Sequence, residues 1–242
     1  MSILKKQKFF KNTAVVSFFT MISRVFGYIR DAVIFIFISN ANGALDAFFV
    51  AFRIPNFFRR IFGEGALSTA YVPVLSDYKS TNNSNDVKEF INASITYLSI
   101  ILIVISIIGV IVTPVLIYLI APGFVNSEFG QYELSYELLR ITFPYMFFIC
   151  LTAVASSILN SYEKFSIPAL TPVILNISLI ISVLFFSPFF SEPVYALAWG
   201  LMIASACIES VLQIVIARFQ LSSIPMLKHK LVQRKMGKKI IH

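Results

Sequence analysis

Residues 95–120 run for 26 positions without a charged side chain, and no other feature constrains the chain so strongly. A hydrocarbon core about 30 Å thick is crossed by roughly 20 apolar residues in helical form. Lipid offers no water to an open backbone, so such a run must be helical. Residues 141–162 and 165–191 are also free of charge, and 193–217 hold one acid, Glu209. Composition agrees: 57% of the 242 residues are apolar and 13% are charged, where a soluble domain carries about 25% charged residues. That is too little charge to coat a soluble fold. The chain reads as all-α, a polytopic membrane helix bundle.

Two further spans are expected in the first 78 residues. Residues 13–38 are apolar but hold Arg24, Arg30 and Asp31; residues 46–75 are apolar but hold Asp46, Arg53, Arg59, Arg60 and Glu64. A secretory signal peptide is the competing reading of the N-terminus, because Lys5, Lys6, Lys8 and Lys11 precede an apolar run. No small-residue cleavage site follows, and arginines interrupt the run. Six transmembrane helices are therefore expected, at about 13–38, 46–75, 88–120, 135–162, 165–188 and 193–217. They form one lobe over 1–218, followed by a basic tail over 219–242. Asp86 with Glu89 has the spacing of a capping box opening the third span, and Pro122-Gly123 closes it.

Fourteen of the twenty basic residues fall on one face of this map. They are the four N-terminal lysines, Lys79 and Lys88, Lys164, and seven residues from Arg218 to Lys239. The opposite loops hold Glu128, Glu133 and Glu192 and no Lys or Arg. The positive-inside rule places both termini in the cytoplasm. The formal charge of +8 is then a topology signal, with the tail available to anionic lipid heads, and nucleic acid is not an expected partner. Cys150 and Cys207 lie far apart inside apolar runs, giving neither a disulfide framework nor zinc spacing, and are expected to pack as small apolar residues. The two histidines, His229 and His242, lie in the tail. No nucleophile–base pair, metal cluster or Walker A motif is present, so catalysis is not expected and no cofactor is implied.

Six arginines are left over: Arg24, Arg30, Arg53, Arg59, Arg60 and Arg140. A charged side chain at mid-helix costs about 2.5–3.5 kcal/mol, and each Leu, Ile or Phe returns only about 0.3–0.6. These groups must therefore face water or one another. At about 100° per residue, Asp31 lies on the face of Arg24, and Asp46, Arg53, Arg60 and Glu64 form one stripe about 27 Å long. Arg30 and Arg59 fall on flanks roughly 120–140° away. Plainer readings exist: Arg59 and Arg60 can snorkel to the interface, Asp31 can form an ion pair with one arginine of the first span, and Arg140 can pair with Glu137. Glu209 is read first as a structural polar contact. Five arginines against Asp31, Asp46 and Glu64 nevertheless leave a cationic excess. Guanidinium stays charged and binds phosphate bidentately, so the expected ligand is anionic, with a phosphorylated lipid or sugar fitting best.

The residues also resemble a known family. Ser23-Arg24-Val25-Phe26-Gly27-Tyr28-Ile29-Arg30-Asp31 is similar to the first-helix signature of the MurJ/MviN family, the bacterial lipid II flippases. Asp46-Ala47-Phe48-Phe49-Val50-Ala51-Phe52-Arg53-Ile54-Pro55-Asn56 and Phe58 through Ala66 resemble the second. Ala121-Pro122-Gly123-Phe124, Thr142-Phe143-Pro144-Tyr145 and Phe165-Ser166-Ile167-Pro168-Ala169 fit later helices. The resemblance implies a fold of the multidrug/oligosaccharidyl-lipid/polysaccharide exporter superfamily, with two six-helix lobes around a cationic cavity in the bacterial inner membrane. It implies an undecaprenyl-pyrophosphate-linked peptidoglycan precursor as cargo. By resemblance Arg24, Arg30 and Arg59 match family arginines that meet pyrophosphate and sugar. Asp31, Asp46 and Glu64 match acidic positions that gate and organise the cavity, and Arg53 stands where the family has a basic residue. Coupling to membrane potential or an ion belongs to the same picture, with no ion site visible here.

Only the first six family helices are matched. Alternating access rocks one half against another, so a second lobe, from another chain or a second copy, is the expected partner. The alternatives are an exporter of another undecaprenyl-linked polysaccharide and an inactive remnant.

Overall fold

The computed structural model describes residues 3–38, 43–61, 67–127 and 130–218, and among these there is no strand. Eight α-helices follow in order: α1 Ile3–Ile38, α2 Ala44–Phe58, α3 Leu67–Thr81, α4 Ser84–Ile120, α5 Gln131–Thr142, α6 Tyr145–Ser161, α7 Ser166–Ile181 and α8 Val194–Arg218. Four helical stretches among them are long and apolar enough to cross a membrane: Ser84–Ile120, Gln131–Ser161, Ser166–Phe189 and Val194–Arg218. The expected tail over 219–242 lies outside the described residues.

Local chemistry explains where the helices begin and break. The third span starts earlier than expected, and its cap is a different residue. Asn83 is extended, and its Oδ1 accepts from the N–H groups of Asn85 at 3.1 Å and Asp86 at 3.0 Å. This is an asparagine N-cap, and it replaces the expected Asp86/Glu89 box. The expected fourth span is two helices meeting at Phe143-Pro144. Proline has no N–H to give and crowds the preceding turn, and the displaced Phe143 ring packs on Gly109 of α4. A Cβ at Gly109 would lie 2.0 Å from that ring, so only glycine admits the contact. Within the expected second span, 46–75, the described residues belong to α2 and α3; α2 carries Pro55 and loosens into a π turn at 59–61. Beyond Ile181, α7 continues as a π segment, Ser182–Phe186, where the Ser182 hydroxyl donates to the Ala196 carbonyl at 2.5 Å.

Two apolar clusters hold the bundle. One gathers the ends of α1 and α2 with α4, α5, α6 and α8, around Phe48, Leu138, Leu139, Tyr145 and Leu197. The other gathers α3, α4, α6 and α8 around Leu75, Ile91, Ile158 and Leu212. Helix α6 contributes to both, burying ten of its side chains. Helix α1 packs chiefly on α7, and α2 chiefly on α5. The helices carrying Arg30 and Arg53 therefore sit on different neighbours, with a space between them.

Candidate functional site

That space is a cavity of about 750 Å³ walled by α1, α2, α6, α7 and α8. The face of α2 that enters it follows from what the helix buries. Ala44, Ala47, Ala51 and Pro55 are buried, which turns Phe48, Phe49, Phe52 and Asn56 toward the cavity, with Arg59 following at helical spacing. The Phe48 and Phe52 rings stack at 5.7 Å, and Phe52 meets Tyr145 of α6 at 5.8 Å. This gives the cavity an aromatic wall above a polar floor.

Three charged residues line the cavity among the described residues: Arg30, Asp31 and Arg59. Arg30 donates from Nε and Nη2 to one Asp31 oxygen, at 2.9 and 2.6 Å, and from Nη1 to Asn176 Oδ1 at 2.8 Å. Asp31 is therefore paired with its neighbour Arg30, not with Arg24. This ion pair is open to solvent, with Asp31 67% exposed, and such a pair contributes about 0–1 kcal/mol to stability. Arg59 donates from Nε to Asn56 Oδ1 at 2.9 Å. The described lining thus holds two guanidinium groups and one carboxylate.

The remaining expected residues lie elsewhere. Arg24, Asp46, Arg53 and Arg60 are exposed and do not line the cavity. Glu64 lies outside the described residues. The described part of the expected stripe, Asp46, Arg53 and Arg60, thus lies outside the cavity lining, whereas Arg30 of the first helix and Arg59, both expected on flanks, are on it. Arg140 does not pair with Glu137: it donates to Thr113 Oγ1 at 3.2 Å and lies 5.0 Å from the Tyr136 ring, while Glu137 accepts from the Tyr195 hydroxyl. Glu209 is a buried contact between helices, accepting from Thr152 Oγ1 at 3.0 Å and from Gln213 Nε2 at 2.6 Å. Cys150 is buried in the core and Cys207 faces outward.

Neutral polar residues, which a reading of charge alone does not reveal, complete the lining. Thr152, Ser156 and Asn160 of α6 stand four residues apart, with Thr171 and Asn176 of α7 and Ser205 of α8 around the same space. The signal was available: polar residues at helical spacing inside an uncharged run mark a wet face. The resulting cavity can hold an anionic group at its arginines and hydrogen-bond an uncharged polar portion along α6.

Comparison with known proteins gives a consistent picture. The family model described as lipid II flippase MurJ matches residues 35–241. The probable lipid II flippase MurJ of Buchnera aphidicola subsp. Acyrthosiphon pisum is 39% identical over 234 residues, covering 93% of this chain and 45% of the relative. The lipid II flippase MurJ of Burkholderia cenocepacia is 40% identical over 197 residues, covering 80% and 37%. A solved structure, lipid II flippase MurJ in an inward closed conformation, superposes with a TM-score of 0.70 at 33% identity, covering 85% of this chain and 42% of that one. The chain spans less than half the length of these relatives.

Proposed function

The chain belongs to the MurJ family, and from that membership we propose that it works as the N-terminal lobe of a lipid II flippase. In this reading the lobe carries the undecaprenyl-pyrophosphate-linked peptidoglycan precursor from the cytoplasmic to the periplasmic leaflet of the bacterial inner membrane. Six spans cross the bilayer, with α2–α3 and α5–α6 each counted as one, and both termini lie in the cytoplasm. Residues 1–218 form the lobe and 219–242 a basic cytoplasmic tail.

The observation that carries the reading is that two guanidinium groups, Arg30 and Arg59, stand with one carboxylate, Asp31, on the wall of a cavity whose other described lining residues are apolar or neutral. In such a setting each supplies charge-assisted, bidentate contacts suited to pyrophosphate. Arg24, Arg53 and Arg60 extend the cationic surface outside the cavity, where a complementary lobe closes on it, and Asp31, Asp46 and Glu64 organise and gate that surface. The protein's work is binding and movement, with no bond made or broken. An ion or the membrane potential drives the cycle through the complementary lobe.

The test is a depletion rescue read by flipped lipid II. Cells lacking their own flippase receive this chain with a separately expressed second lobe, and survive if the reading holds. Arg30→Ala then lowers flipped lipid II roughly tenfold or more, as loss of a charge-assisted contact requires, while Arg53→Ala has a smaller effect. Equal rescue by wild type and Arg30→Ala removes the cavity from the mechanism.

A further inference from the structure

Arg30 does not hold its own position. A long arginine side chain samples many rotamers, and fixing it costs entropy. Its partner Asp31 is the next residue on the same helix and is itself mostly exposed, so that pair cannot anchor the guanidinium to the bundle. The anchor comes from α7. Asn176 is buried in the middle of an uncharged run and uses both ends of its amide. Oδ1 accepts from Arg30 Nη1 at 2.8 Å, and Nδ2 donates to the Ser23 carbonyl at 3.0 Å and to Ser23 Oγ at 3.4 Å. Gly27 lies one turn beyond Ser23, and a Cβ there would sit 3.6 Å from Asn176 Nδ2. The amide thus reaches the backbone of α1 across a stretch with no side chain in the way.

The geometry points to Asn176 as the positioning residue for Arg30, fixing the guanidinium in the cavity so that it meets an anionic diphosphate with its remaining N–H groups already aimed. Of five guanidinium N–H donors, Asp31 takes two and Asn176 one, which leaves two for a ligand. A neutral amide suits this task where an acid does not: it holds the guanidinium without setting a second carboxylate beside the one Asp31 already supplies. Its second hydrogen bond, to Ser23, ties the arginine's position to the packing of α1 on α7, so a shift of α1 along α7 moves the binding group with it. The inference rests on the proposed function for the identity of the anion, and on the structure alone for the positioning.

Two measurements on the full chain in lipid nanodiscs separate these parts. Arg30 Nη1–H signals in arginine-labelled protein report whether the guanidinium is held, with no ligand present. Titration with undecaprenyl pyrophosphate, against undecaprenol, reports affinity for the diphosphate. Asn176→Ala is expected to lose the slowly rotating Nη1–H signals and to weaken undecaprenyl pyrophosphate about tenfold, the loss of one charge-assisted hydrogen bond. Asn176→Asp is expected to keep the signals, because a carboxylate still accepts from Nη1, yet to weaken the diphosphate as well, because with Asp31 it sets two negative charges against one guanidinium. A purely structural asparagine would not split the two readouts in this way. Should Asn176→Ala fail to fold, the near-isosteric Asn176→Asp carries the test, and unchanged affinity there overturns the proposal. Unchanged Nη1–H signals in Asn176→Ala overturn it directly. Equal binding of undecaprenyl pyrophosphate and undecaprenol by wild type instead overturns the diphosphate reading of the cavity, leaving the Nη1–H arm to judge the positioning.

Discussion

Helices α4 and α1 are nearly equal in length, 37 and 36 residues, and each turns a long face outward. On α4 that face is Ile100, Ile103, Val104, Ile107, Ile108, Ile111 and Val115. On α1 it includes Arg24 and Tyr28, four residues apart, among Met21, Val25 and Phe35. Exposure is the same in both and its meaning is opposite. The α4 face suits lipid tails, because nothing on it needs water. The α1 face cannot meet lipid at the same depth without a cost of about 2.5–3.5 kcal/mol per charge, so water or another protein surface must cover it. In a membrane protein an outward face is defined by the charge it carries as much as by its accessibility.

The largest effect that could break this comparison comes from adding one charge to each face. Ile107 is 57% exposed and lies near the centre of the uncharged run; Tyr28 is 78% exposed and lies four residues from Arg24 on α1. Ile107→Lys should lose insertion by about 2.5–3.5 kcal/mol, seen as loss of membrane-integrated protein in a glycosylation-mapped insertion assay. Tyr28→Lys should insert normally. Equal losses would mean that both faces meet lipid.

The inner side of α4 gives the next effect. Gly109→Ala places a methyl where the Phe143 ring lies, and overpacking of this kind costs about 1–3 kcal/mol. Thermal unfolding in detergent should show it, and the double change Gly109→Ala with Phe143→Leu should recover a good part. No recovery would show that α4 and the Phe143-Pro144 break do not share the strain.

The same contrast explains what could be read without coordinates. Uncharged runs announce α4, α6, α7 and α8, because the bilayer sets their length and their chemistry at once. Pro144 stands inside the expected fourth span, where a proline can kink a helix, and the α5–α6 break falls there. The cavity was harder to place. Angular arithmetic on α2 found the longest line of charges, Asp46, Arg53 and Arg60, but which face turns inward depends on Ala44, Ala47, Ala51 and Pro55 packing on α5, a tertiary fact. Arg59, a flank residue by that geometry and a binding residue by resemblance, lies on the cavity wall for that reason. Asn176 carries no charge and so gave no signal to a search for charges, although a lone buried amide in an uncharged helix must have partners.

At the end of the bundle where α3 closes on α6, exposed charge meets neither lipid nor cavity, and effects should be smallest. Lys79 donates to the Ser161 carbonyl at 2.8 Å, satisfying an acceptor in the last turn of α6, and sits 3.6 Å over the Tyr162 ring. Partial burial lowers its pKa below the usual 10.5, against the opposing pull of Glu163. Lys79→Met should cost about 0.5–1 kcal/mol near neutral pH through loss of the ring contact. The pH dependence has a definite sign. A lysine whose folded pKa is lowered opposes folding while it is charged in both states, and that penalty is relieved as pH rises through the folded value toward 10.5. The stability of wild type relative to Lys79→Met should therefore increase over that alkaline window. A decrease would mean that the hydrogen bond and the ring favour the ammonium more than burial penalises it, and that this end of the bundle is held by charge in the way the cavity holds Arg30.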